Sequence, residues 1–140
     1  MIGRTLSKLA LGGAVALALV WPVPSGTLGA APEDGIQDAA VRVSRAVDAL
    51  GEARAEERLA RLFRVAPRVV AELYEQKLDF GEVAVVLALA EAGQTSSDRI
   101  LVLWASDRLH WSQIAQRLRV DLPVLLKRLE GVRRDLVSSR

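Results

Sequence analysis

"WSQIAQRLRVDLPVLLKRL", residues 111–129, decides the fold. Ile114, Ala115 and Leu118 fall on one side of a helix, Arg119 and Val120 interrupt the pattern, and Leu125 and Leu129 resume it four residues apart. An α-helix turns once in about 3.6 residues, so apolar side chains spaced by three and four share one face and bury it together. A short helix over 112–118, a tight turn, and a final helix from 122 to about 137 are predicted. In that final helix Leu125, Leu129, Val132 and Leu136 recur at spacings of 4, 3 and 4.

The same period runs upstream. Ile36, Ala40, Val43, Val47 and Leu50 follow one another at 4, 3, 4 and 3, the stripe of an amphipathic helix. "GEARAEER", 51–58, drops the stripe, and Leu59, Leu62, Phe63 and Ala66 take it up again, so one long helix or two jointed at Gly51 would both fit. Pro67 suits the first position of a helix that buries Val69, Val70, Leu73 and Leu78. In "DFGE", 79–82, Asp79 and Glu82 have the spacing of a capping box, and Val83, Val86, Leu87 and Ala90 form the buried face behind it. Gly93 is expected to end that helix in a left-handed conformation. "TSSD" restarts a helix through Ile100, Leu101, Leu103 and Trp104 to about Leu109. No stretch alternates as a strand would. The expected fold is all-α: a small helical bundle over 36–140, with two helix-turn-helix-like units after the long N-terminal helix.

Composition limits the function. With 140 residues and no cysteine, the chain has room for one domain and forms neither disulfides nor thiolate metal sites. Its net charge of +2 comes from Arg4 and Lys8, because residues 1–30 hold no acid and the remainder carries 17 basic and 17 acidic residues. A neutral domain exerts no general pull on nucleic acid. The charge is uneven, however: 9 basic and 13 acidic residues over 31–106 against 8 basic and 4 acidic over 107–140. The two parts are expected to pack on each other and partly neutralise.

The opening segment has the order of a secretory signal: Arg4 and Lys8, an apolar run from Leu9 to Trp21, then the small residues and turn-formers of "PVPSGTLGA". Its apolar centre falls short of the ~20 residues of a membrane-spanning helix. Cleavage after Ala30 would leave 31–35 as a tether and the domain periplasmic or secreted. Left uncut, the segment would anchor the protein with the domain outside the membrane.

A weak internal repeat lies within the helical pattern. Sliding the chain by 31 residues aligns 68–87 with 99–118, matching Arg68, Leu78, Ala84 and Leu87 identically and pairing Phe80 with Trp111 and Val83 with Ile114. In both copies an aromatic residue precedes a short helix.

Residues 114–129 resemble the helix-turn-helix family of DNA-binding domains: the Ile114-Ala115 pair, Leu118, a turn ending in Val120, then Leu125 and Leu129. Where that family commonly has glycine in its turn, Arg119 stands here, which places a left-handed conformation on arginine at a cost. The first turns of a recognition helix read bases with polar side chains, whereas these hold Leu122, Pro123, Val124 and Leu126. Such a surface is expected to be covered by the first long helix or by another protein. Lys127, Arg128, Arg133 and Arg134 remain as possible phosphate contacts. A looser resemblance, over roughly 67–129, is to small exported bacterial helical proteins of unknown function with paired Gly-Tyr-Gly-Glu and Gly-Trp-Gly-x-Ile-Ala segments. Phe80-Gly81-Glu82 and His110-Trp111-Ser112 stand at the corresponding places, with the glycines partly lost. That resemblance implies no activity.

Catalysis is not expected. His110 is the only histidine; a mixed metal site with Asp107 and Asp79 has no further support, and helix capping accounts for Asp79 and Glu82. No glycine loop for a phosphate is present, and neither cofactor nor metal is expected. Trp104 is assigned to the core, and Phe80 and Trp111 to the gap between a helix and its successor, with a groove for an apolar ligand or partner helix as their functional reading. The expected role is contact with a protein partner in the envelope or with a second copy, through Phe80, Trp111, Leu122 and Leu126. Nucleic-acid binding by the C-terminal basic helices is the alternative.

Overall fold

The computed structural model describes the backbone of residues 32–138 and the side chains of 35–138. The expected signal segment and its cleavage point at Ala30 lie outside the described residues. The helices are α1 (Pro32–Leu50), α2 (Glu52–Phe63), α3 (Pro67–Glu75), α4 (Phe80–Ala92), α5 (Ser97–Leu101), α6 (Trp111–Arg117) and α7 (Leu122–Val137), with a π-helical turn over Val102–Ser106 continuing α5. No strand occurs among the described residues, and no helix among them is long and apolar enough to cross a membrane. The fold is an all-α helical bundle.

One boundary differs from expectation, and the choice left open between one helix and two is decided. Residues 32–35 are not a tether but the first turn of α1, which starts at Pro32, where the fixed backbone angle of proline suits a first helical residue. The chain from 36 to 66 is two helices, separated by Gly51 at φ 95°. That angle is open to glycine and costly for other residues, so the joint falls where the sequence has a glycine.

Three corners share one construction. The amide of Val65 donates to the carbonyl of Ala60 at 2.9 Å, that of Thr95 to Ala90 at 3.0 Å, and that of Val120 to Ala115 at 2.8 Å. Each bond spans a left-handed residue: Arg64 at φ 55°, Gln94 at φ 50° and Arg119 at φ 57°. This is the Schellman termination, which satisfies helix-end carbonyls, here built without glycine. Hence α2–α3, α4–α5 and α6–α7 meet at three corners of the same construction, the last of them the turn at Arg119 singled out in the sequence. Gly93 is correspondingly right-handed, at φ −84°. Its lack of a side chain serves packing instead, because a methyl there would lie 2.9 Å from the Leu89 carbonyl and 3.1 Å from Leu118 Cδ1.

The π turn changes the register of the internal repeat. Before it, equivalent positions are thirty residues apart: the caps Ala66 and Ser96, and buried Val70 with Ile100 and Leu73 with Leu103. After it they are thirty-one apart: left-handed Lys77 and Arg108, the caps Asp79 and His110, and Phe80 with Trp111. The Asp107 amide reaches back five residues to the Val102 carbonyl, at 3.2 Å, and so absorbs the extra residue. The match of Arg68 with Arg99 is therefore not a structural equivalence.

Helix α4 is the centre of the bundle. Phe80, Gly81 and every residue from 83 to 89 are buried, so the helix is enclosed on all sides rather than on the single face expected. It packs against α1, α2, α3, α5 and α7. Ile36, Val43 and Val47 of α1 and Leu125, Leu129, Val132 and Leu136 of α7 complete the core, each fully or almost fully buried. Burying one such side chain stabilises the fold by about 1.5–3 kcal/mol.

Candidate functional site

Each repeat unit contains an aromatic step, in which a ring at the end of one helix stacks on the ring that opens the next. Tyr74 lies over Phe80 at 4.5 Å between centroids, and Trp104 over Trp111 at 5.6 Å with planes 2° apart. The six-residue separation of the first pair becomes seven in the second because of the π turn. In the first step ring and carboxylate are bridged: the Tyr74 hydroxyl donates to Glu52 Oε1 at 3.4 Å, with Tyr74 itself 40 % exposed and Leu78 2 % exposed. The Glu52 charge raises the phenol pKa above its ordinary value.

The second step is open. Glu82 stands to Trp104 as Glu52 stands to Tyr74, thirty residues further along for both members of the pair. Instead of reaching the ring, Glu82 accepts the Asp79 amide on Oε2 at 3.0 Å, and the indole of Trp104 has no hydroxyl to span the gap. A cleft of about 530 Å3 results, lined by Gln37, Glu82, Trp104, Arg108, Leu109, His110 and Trp111. Leu109, the counterpart of Leu78, is only half-buried here. Burial raises the Glu82 pKa above the ordinary carboxylate value, the backbone bond to Asp79 opposes that shift, and the Asp79 charge adds to it. Across Leu109 a second depression, of about 440 Å3, runs along Gln113, Gln116 and Arg117.

Helix ends hold the surrounding polar groups in place. Asp79 Oδ1 accepts the Glu82 amide at 2.8 Å, completing the capping box, and accepts the Ser44 hydroxyl at 3.0 Å. Ser44 Oγ in turn accepts the Gly81 amide at 2.9 Å, which pins α1 to the start of α4. A methyl on Gly81 would lie 1.9 Å from the Ala40 carbonyl oxygen, so this approach requires glycine. In the second unit His110 donates its amide to Gln113 Oε1 at 2.9 Å, and Asp107 pairs with Arg117 at 3.4 Å. Asp79, Asp107 and His110 are thus each engaged locally, and no group of three metal-ligating side chains occurs among the described residues.

The four residues expected to form a partner face do not form one exposed surface. Phe80 and Trp111 are 7 % and 6 % exposed, because each ring lies under its aromatic neighbour and inside the core cluster. Leu122 and Leu126 are half-buried against that same core, and Gly35 of α1 sits close enough that a methyl there would touch Leu126 Cδ1 at 3.7 Å. The outward part of the first turn of α7 is Pro123 and Val124, the latter 56 % exposed. Two of the four basic residues on α7 are committed internally: Arg128 to Glu91 and the Leu62 carbonyl, Arg133 to Glu130. Trp104, assigned from sequence to the core, is half-buried and walls the cleft. Its signal was the thirty-residue offset that relates both Trp104 to Tyr74 and Glu82 to Glu52.

Comparison with protein-family models, curated proteins and solved structures finds no match for this chain.

Proposed function

We propose that this chain is an exported, non-catalytic helical protein that acts by contact with another envelope protein or with a second copy of itself, using the first turn of α7. The observation that carries this reading is the 56 % exposure of Val124, the most exposed large apolar side chain among the described residues. It stands where a base-reading helix would need hydrogen-bonding groups. An isolated exposed valine is ordinary on a protein surface, but Val124 adjoins exposed Pro123 on the same turn, and a protein surface can desolvate the two together. Export is supported by the charged, apolar and small-residue order of the first thirty residues.

One experiment addresses both parts. The full chain, carrying a photoreactive side chain at position 124 or, as control, at exposed position 68, is expressed in a Gram-negative host, irradiated and fractionated. A periplasmic product beginning at Ala31, with crosslinks of defined mass from position 124 and none from 68, is the expected result. Equal labelling from both positions would remove α7 as the contact. Irradiation in high salt separates the nucleic-acid alternative, because phosphate contacts are lost as salt rises and apolar contacts persist.

A further inference from the structure

We infer that the cleft between Glu82 and Trp104 is a binding site for a hydroxylated ring that carries an anionic substituent, an acidic sugar being the simplest example. The site is separate from the contact proposed at Val124. It stands on the comparison of the two aromatic steps within this one molecule.

In the first unit, ring and carboxylate are joined by a hydroxyl that belongs to the ring itself, from Tyr74 to Glu52 at 3.4 Å. In the second unit the ring is indole, the carboxylate is withdrawn, and about 530 Å3 separates them from the remaining walls. That volume suits a small ligand. A ligand ring laid on the Trp104 face, with its hydroxyl toward Glu82, restores the bridge that the first unit contains. The flat apolar side of a sugar ring, where C–H bonds project, packs on an indole face, while its edge hydroxyls need polar partners. Glu82 and the Gln37 amide are those partners, both in the cleft wall.

The charges narrow the class further. Arg108 lines the same cleft and favours an anionic group, its guanidinium able to hold a carboxylate through two parallel hydrogen bonds. Glu82 disfavours a bare inorganic anion, and Arg108 disfavours a purely cationic ligand. A neutral sugar would leave the guanidinium without a partner from the ligand. A ring with both hydroxyls and one carboxylate meets all of these groups at once.

The test follows the Trp104 indole N–H resonance, together with calorimetry, during titration of the folded full-length protein with D-glucuronate, D-glucose, inorganic phosphate and choline. Saturable glucuronate binding is expected, with glucose about tenfold weaker for want of the charge-assisted bonds. Arg108→Gln should bring glucuronate down to the level of glucose. Trp104→Tyr is the decisive variant, because it places a phenol where Tyr74 stands in the first unit and should close the cleft. Glucuronate binding should then disappear while the melting temperature is kept. The inference is overturned if glucuronate produces no saturable change up to its solubility limit, if its binding survives Trp104→Tyr, or if Arg108→Gln leaves it as tight as in the parent. Phosphate binding as tight as glucuronate would reduce the site to an anion patch, and choline binding tighter than glucuronate would make it a cation site; either result also overturns it.

Discussion

Arg128 grips Glu91 through two nitrogens, Nε at 2.8 Å from Oε2 and Nη2 at 3.3 Å from Oε1. The same Nη2 donates to the Leu62 carbonyl at 2.8 Å, and the guanidinium lies 4.8 Å above the Phe63 ring. One side chain of α7 thus ties down the end of α2 and the end of α4. The ion pair is partly exposed and contributes little alone, but the carbonyl bond and the cation over the ring add to it. Arg128→Ala should cost about 1–2 kcal/mol, seen as a fall of about 5–10 °C in Tm. Arg128→Lys should recover only a small part, because an ammonium cannot meet the carboxylate, the carbonyl and the ring together.

Two glycines should respond to alanine with opposite signs. At Gly81 the added methyl would meet the Ala40 carbonyl at 1.9 Å, backbone against backbone, and α1 would have to move off α4. Gly81→Ala is expected to destabilise by about 3 kcal/mol, as overpacking does in a tight core. At Gly131, inside α7, nothing lies within 4 Å of the added atom. Gly131→Ala should stabilise by about 0.5–1 kcal/mol through helix propensity. Urea unfolding midpoints of the two variants check both signs at once.

What could be read from the sequence was local. The capping box at Asp79 and Glu82 and the start of α7 at Leu122 depend on a few adjacent residues, and both stand as read. The π turn depends on no particular residue type. It shows only as a change of repeat spacing from thirty to thirty-one, and the chance match of Arg68 with Arg99 concealed that change. The enclosure of α4 was invisible for a related reason: a run of apolar residues from 83 to 89 has no polar face to mark which neighbours surround it. The apolar start of α7 called for a cover, either the first long helix or another protein; that α1 lies against Leu126 follows from the path of the chain after Gly51.

Two carboxylates should give opposite pH signatures. Hydrogen bonding from Arg133 lowers the Glu130 pKa, an effect opposed by desolvation and reinforced by the charges of Arg133, Arg134 and Arg42. Its stabilising contribution is present above the ordinary value of 4.5 and is lost as pH falls through the lower folded value. Glu130→Gln should therefore be less stable than the parent at pH 7 and indistinguishable from it once both states are protonated. Glu82 is raised, mainly by burial, so the folded state holds its proton above 4.5 and stability falls as pH rises from there through the folded value. Glu82→Gln keeps an oxygen for the Asp79 amide and should narrow its deficit against the parent, or reverse it, between acid and neutral pH. Urea midpoints of the three proteins across that range separate the two behaviours.

Arg119 supplies the last prediction. Its φ of 57° lies in the left-handed region, where a side chain costs about 1–2 kcal/mol relative to the right-handed helix. Glycine removes that strain but adds freedom to the unfolded chain worth about 0.5–1 kcal/mol, so Arg119→Gly should gain about 0.5–1 kcal/mol. Arg119 is exposed, and its corner is held by a backbone bond, Val120 to Ala115 at 2.8 Å, which glycine leaves intact. Arg119→Ala tests the argument from the other side: it removes the arginine while keeping the left-handed cost, so its stability should stay near that of the parent. A gain with alanine equal to that with glycine would mean that the arginine side chain, and not the backbone angle, is the source of the strain.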